Sequence, residues 1–85
     1  MWHLYVLINE GKPIYVGVSY SVKDRIKQHI KSGKQFDKHI IIESFAIKES
    51  ALAAERCLIK YLSLFGDESI TNKKYERFEQ LKTYL

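Results

Sequence analysis

An 85-residue chain supports one compact domain without room for a second core, since a domain this small buries only about 60% of the surface its unfolded chain exposes. Its apolar runs fall short of the ~18 residues a membrane span needs, and Met1-Trp2-His3 leads directly into a strand pattern rather than a charged-then-apolar leader, so a single soluble domain over residues 1–85, intracellular and cytoplasmic, is expected. A net charge of +4 favours a polyanionic partner, while the lone Cys57 excludes an internal disulfide and no Cys/His spacing suits zinc.

Residues Trp2 to Ile8 alternate and are rich in β-formers, and Pro13 to Gly17 make a second short run, which together predict a hairpin. The intervening Asn9-Glu10-Gly11 suits a three-residue loop, a type I turn closed by a left-handed glycine. In that register Ile8 pairs with Lys12, Tyr5 faces Tyr15, and the two phenols are neighbours. Alone, such tyrosines are commonly half-buried strand formers with a solvated hydroxyl.

Ser21-Val22-Lys23-Asp24 has the spacing of a helix-capping box and Gly33 that of a stop, predicting a first helix between them. Val22, Ile26 and Ile30 form its apolar stripe, with Arg25 and His29 one turn apart along the edge where core meets solvent. Lys23, Lys27 and Lys31 recur every four residues, a like-charge repulsion that contacts with nucleic-acid phosphates would offset, though solvated lysines also explain such a stripe. Lys34, Lys38, Lys73, Lys74 and Arg77 are assigned to solubility, His3 and His39 to structure or surface.

His39 to Ile47 reads as a third strand, and Glu49-Ser50 opens the longest helix, ending at Phe65-Gly66. Asn72 caps a last predicted helix in which Tyr75, Phe78 and Leu81 recur every three residues. The expected architecture is α+β: a small three-stranded antiparallel sheet flanked by about three helices.

One residue is out of place. Leu52, Leu58, Ile59 and Leu62 line the buried face of the long helix, and Glu55 stands among them. An ionised carboxylate in an apolar setting pairs, protonates or binds a metal. A structural ion pair with Arg25 is one answer, and a hard-cation site of the kind Mg²⁺ accepts is the other.

Together these residues resemble the GIY-YIG nuclease family. His3-Leu4-Tyr5 and Tyr15-Val16-Gly17 are similar to its two signature triplets, and Arg25, His29, Glu55 and Asn72 follow in the family's order and approximate spacing. His3 and Leu4 replace a glycine and an isoleucine, and Val18 stands where some members carry a lysine. The resemblance implies an endonuclease that hydrolyses phosphodiester bonds in DNA, with RNA as the open alternative. One Mg²⁺ or Mn²⁺ would be held by Glu55, Arg25 would bind the phosphate, Tyr15 would take the proton of the attacking water and Tyr5 would support it. A free phenol ionises near pH ~10, so Tyr15 needs a cation or a proton acceptor, and His29 provides either. Asn72 would orient the phosphate or cap its helix. A second copy or a larger partner would supply targeting. The rivals are a nucleic-acid-binding module without catalysis and an interaction domain in which Glu55 and Arg25 merely pair; the intact set of Tyr5, Tyr15, Arg25, His29 and Glu55 argues against both.

Overall fold

The structure, a computed structural model, describes residues 1–65. Its elements run β1 (Trp2–Asn9), β2 (Lys12–Ser19), α1 (Val22–Lys31), β3 (Lys38–Phe45) and α2 (Lys48–Phe65). The strands form one antiparallel sheet in the order β2-β1-β3, so β1 is central. This is the expected α+β fold, with two helices among the described residues. The predicted helix after Asn72, and Asn72 itself, lie outside them.

Because β1 is covered on both faces, its middle is buried continuously rather than in alternation. Leu4 and Val6 pack with Val16 and with Ile59 of α2. Tyr5 and Leu7 point the other way and pack with Val22 of α1, flanked by Tyr15, Ile26 and Phe36. The sheet thus separates two small clusters, and the tyrosines belong to the α1 side.

The hairpin corrects the predicted turn. Asn9 pairs with Lys12, leaving a two-residue loop in which Glu10 (φ 53°) and Gly11 (φ 78°) are both left-handed. Two successive positive φ values define a type I′ turn, whose twist matches that of the strands. Glu10 adopts this conformation without glycine's freedom, and its N–H donates to Asp37 Oδ2 at 3.0 Å while the Asp37 N–H donates to the Ile8 carbonyl at 2.9 Å.

A two-residue loop would by itself pair Leu7 with Ile14 and send Tyr15 to the face opposite Tyr5. The ladder instead slips by one residue: Ile8 pairs with Pro13 and Leu7 with Tyr15, so Ile14 is the extra residue of a bulge. Tyr5 consequently faces Gly17, not Tyr15, but the two tyrosines regain a common face, with ring centroids 6.2 Å apart.

Helix α1 starts after Ser21 as predicted, but the Ser21 hydroxyl donates to the Asp24 carboxylate at 3.0 Å and makes no capping bond to the backbone. Its buried positions are Val22 and His29, whereas Ile30, expected in the stripe, is exposed. On α2 the buried line is Ala51, Glu55 and Ile59, with Leu52, Leu58 and Leu62 half-buried beside it. Strand β3 begins one residue earlier than predicted and ends at Phe45, leaving Ile47 exposed. Among the described residues no helix is long and apolar enough to cross a membrane.

Candidate active site

The site starts from a contact that only glycine permits. A Cβ on Gly17 would stand 2.6 Å from both Cζ and the hydroxyl oxygen of Tyr5, and 2.9 Å from Cε1 of Tyr15. The fully buried Tyr5 ring therefore lies across the bare backbone of β2, and Gly17 sets the spacing of both phenols. The sequence singled out Gly17 only as a signature residue, because its role depends on a cross-strand register.

Helix α1 supplies the next layer. His29 Nε2 lies 2.8 Å from the Tyr5 hydroxyl in a buried bond. Its ring meets Tyr15 edge-on at 4.7 Å and Phe36 edge-on at 6.5 Å, so aromatic walls on two sides fix its plane. Burial, and then the positive charges of Lys34 and Arg25, hold the His29 pKa below its ordinary value. A neutral imidazole results at neutral pH.

Arg25, one turn earlier and exposed, donates through Nη1 to Gln28 Oε1 at 3.1 Å. Its guanidinium also reaches both phenols, and its pKa is raised first by the hydrogen bond to Tyr5. Arginine has only donors, so the Tyr5 oxygen accepts from Arg25, while the imidazole tautomer sets which of Tyr5 and His29 donates in the bond between them. No buried side-chain nitrogen or oxygen among the described residues lacks a partner. Tyr5 keeps its proton tightly: burial, reinforced by the neighbouring Tyr15 and in smaller measure by Glu55, pushes its pKa up to about 12 against the opposing pull of Arg25. Tyr15 is only half-buried and is the phenol open to a ligand.

Glu55 is 2% exposed, at the centre of the buried line of α2, and its charge is felt at Tyr5. Among the described residues no three His, Cys, Asp or Glu side chains cluster into a metal cage. A single carboxylate fits the chemistry of Mg²⁺, which keeps several waters and takes phosphate oxygens as ligands, better than that of zinc or calcium.

Of the residues expected at the site, Tyr5, Tyr15, Arg25 and His29 come together on the α1 side of the sheet, while Glu55 lies on α2, which covers the other face, and its charge is felt at Tyr5. Lys23, Lys27 and Lys31 are exposed as expected, yet at about 100° per residue they leave α1 on the flank opposite Arg25. His3, assigned to structure, bonds through Nδ1 to Ser44 Oγ at 2.6 Å.

Lys34 was missed. Its Nζ lies 4.6 Å from the centroid of the Tyr15 ring. The cause is the end of α1, where Gly33 (φ 86°) donates to the Ile30 carbonyl at 3.1 Å and the Lys34 N–H returns to the His29 carbonyl at 3.2 Å. This left-handed reversal folds the residue after the glycine back onto the last turn of the helix. A glycine followed by lysine after the helix was the available signal.

Comparison with protein families matches the GIY-YIG catalytic domain over residues 1–66. Comparisons with curated proteins and with solved structures return no significant match. The triplets set the two tyrosines across Gly17, α1 brings arginine and histidine to them, α2 carries the buried glutamate, and the family match spans every one of these residues: the chain belongs to the GIY-YIG family and carries its nuclease-type catalytic domain.

Proposed function

We propose that the protein is a divalent-metal-dependent endonuclease that hydrolyses phosphodiester bonds in DNA. The observation that carries this reading is the meeting of Tyr5, Tyr15 and His29, with the phenol rings 6.2 Å apart and His29 bonded to the Tyr5 hydroxyl at 2.8 Å, on a sheet whose other helix buries the Glu55 carboxylate. Glu55 is the residue that would hold Mg²⁺ or Mn²⁺, which when bound supplies positive charge against the phosphate and the leaving 3′ oxygen.

The chain's own groups divide the remaining work. Arg25, planar and permanently charged, binds a non-bridging phosphate oxygen and stabilises the charge that develops there. Tyr15 takes the proton of the attacking water. The Tyr15 proton passes to solvent first, and His29, already bonded to the Tyr5 hydroxyl through Nε2, packs edge-on against the Tyr15 ring and holds it in place. Tyr5 retains its own proton and fixes Arg25 and His29 relative to each other. Asn72 orients the phosphate in this reading, with residues 1–85 acting as one domain. Severing both strands needs two sites or two visits, which a second copy or a larger targeting partner would provide.

The test is nicking of supercoiled plasmid with and without Mg²⁺ or Mn²⁺, beside Tyr15→Phe. Metal-dependent nicking is expected, with Tyr15→Phe slower by about 10²–10⁴-fold, the usual contribution of a general base, and binding retained. A protein that shifts DNA without cutting it under any metal is a binding module, and the catalytic reading fails.

A further inference from the structure

Beside Tyr15 an open groove of about 530 Å³ runs between the hairpin and the end of α1, lined by Asn9, Ile14, Ser32, Gly33, Lys34 and Gln35. Its size is that of a small-ligand site. Its chemistry is specific: one cation, two side-chain amides, one hydroxyl, one apolar wall and no carboxylate. Lys34 is half-buried and already held over the Tyr15 ring, so its charge is fixed at the junction between groove and site rather than swinging in solvent. Arg25 reaches the same tyrosines from α1, so two cations flank Tyr15.

We infer that this groove is a subsite for one nucleotide of the substrate strand, next to the bond being cut, with Lys34 taking its phosphate and the Asn9 and Gln35 amides meeting its base. The inference rests on the nucleic-acid substrate proposed above. Side-chain amides carry a donor and an acceptor, the pattern that base edges present, while an ammonium serves phosphate as a point charge. The Gly33 reversal gives the subsite its rigidity, because it ties Lys34 to the His29 carbonyl and so to the helix that carries Arg25. The positive charges of Lys34 and Arg25 are both felt at His29, consistent with one shared cationic mouth.

Fluorescence anisotropy of fluorescein-labelled DNA oligonucleotides, single-stranded and duplex, in metal-free buffer with chelator tests this without cleavage. Wild type is compared with Lys34→Met, Lys34→Arg, Gln35→Ala and, as a control for losing one exposed charge, Lys60→Met. One phosphate contact is worth about one counterion, so Lys34→Met should weaken duplex binding about eightfold at ~0.1 M salt and make the log–log salt slope shallower by about 0.9. Lys34→Arg should restore both, and Gln35→Ala should weaken binding with the slope unchanged. Lys34→Met matching Lys60→Met, a loss of affinity with the wild-type slope, or no binding by wild type would each overturn the subsite. Slope-dependent binding by a protein that never cuts supports the subsite while defeating the proposed hydrolysis, and cutting with an unaltered Lys34→Met slope does the reverse.

Discussion

The Tyr5 hydroxyl lies 2.8 Å from His29 Nε2, a buried bond that joins the central strand to α1 across 24 residues of sequence. It makes one of the two phenols a structural part of the site, whereas Tyr15 is only half-buried.

The first consequence is an alkaline titration. The Tyr5 pKa is raised to about 12, above the unfolded value of 10.0, so its contribution to stability is fully present below pH 10 and is lost as pH rises through about 12. Near-ultraviolet phenolate absorbance should show one tyrosine titrating last. That late component should vanish in Tyr5→Phe, which should also lose about 1 kcal/mol of stability with the buried hydrogen bond. A late component that persists in the variant would assign it to another tyrosine.

His29 carries the opposite linkage. Its folded pKa lies below the unfolded value of 6.5, so its contribution is present above that value and is lost as pH falls through the lower folded pKa. Denaturant midpoints from about pH 7.5 to about pH 5 should decline in wild type and decline less in His29→Gln, whose amide oxygen can still accept from Tyr5 but cannot titrate. Parallel declines in the two proteins would remove His29 from the acid transition.

Gly17→Ala adds one methyl group within 2.6 Å of the Tyr5 ring end, which is fully buried and cannot swing aside. Overpacking of this kind costs about 1–3 kcal/mol. A lower melting temperature and a loss of nicking are therefore expected together, because the same methyl displaces both phenols. Wild-type stability would contradict the cross-strand packing described for Tyr5.

Arg25→Lys keeps the charge and loses the planar fork beside the two phenols that is proposed to take a phosphate oxygen. Arg25 is exposed, so stability should change by no more than about 0.5 kcal/mol. The rate should fall by about 10²–10³-fold, the range seen when one donor to developing charge is removed. Full activity in the lysine variant would limit Arg25 to electrostatic attraction.

How far the sequence reveals this site depends on the kind of signal each residue leaves. Glu55 is conspicuous because a charge in an apolar helical stripe needs an explanation wherever it occurs. Arg25 and His29 follow from helical spacing, although His29 turns out to be core rather than edge, since Tyr5 offers it a buried partner that no local pattern encodes. The shared face of Tyr5 and Tyr15 emerges from a turn assigned one residue too long and a bulge not anticipated, two displacements of equal size that cancel. Pro13, which has no ladder N–H and within sheets is confined to edges, strand starts and bulges, signals an irregularity here without saying which neighbour is the extra residue. Lys34 is hidden for a different reason: Gly33 is readable as a helix stop, but the direction of the chain after a left-handed glycine decides which side chain returns to the site.

The most direct measurement is the rate of plasmid nicking by Glu55→Gln at saturating Mn²⁺, with circular dichroism confirming the fold. The amide keeps the size and one acceptor oxygen of the buried side chain while removing its charge. A loss of at least about 10²-fold is expected if that carboxylate holds the metal for Tyr15 and Arg25. A folded Glu55→Gln protein that cuts as fast as wild type would show that the buried glutamate serves the fold alone.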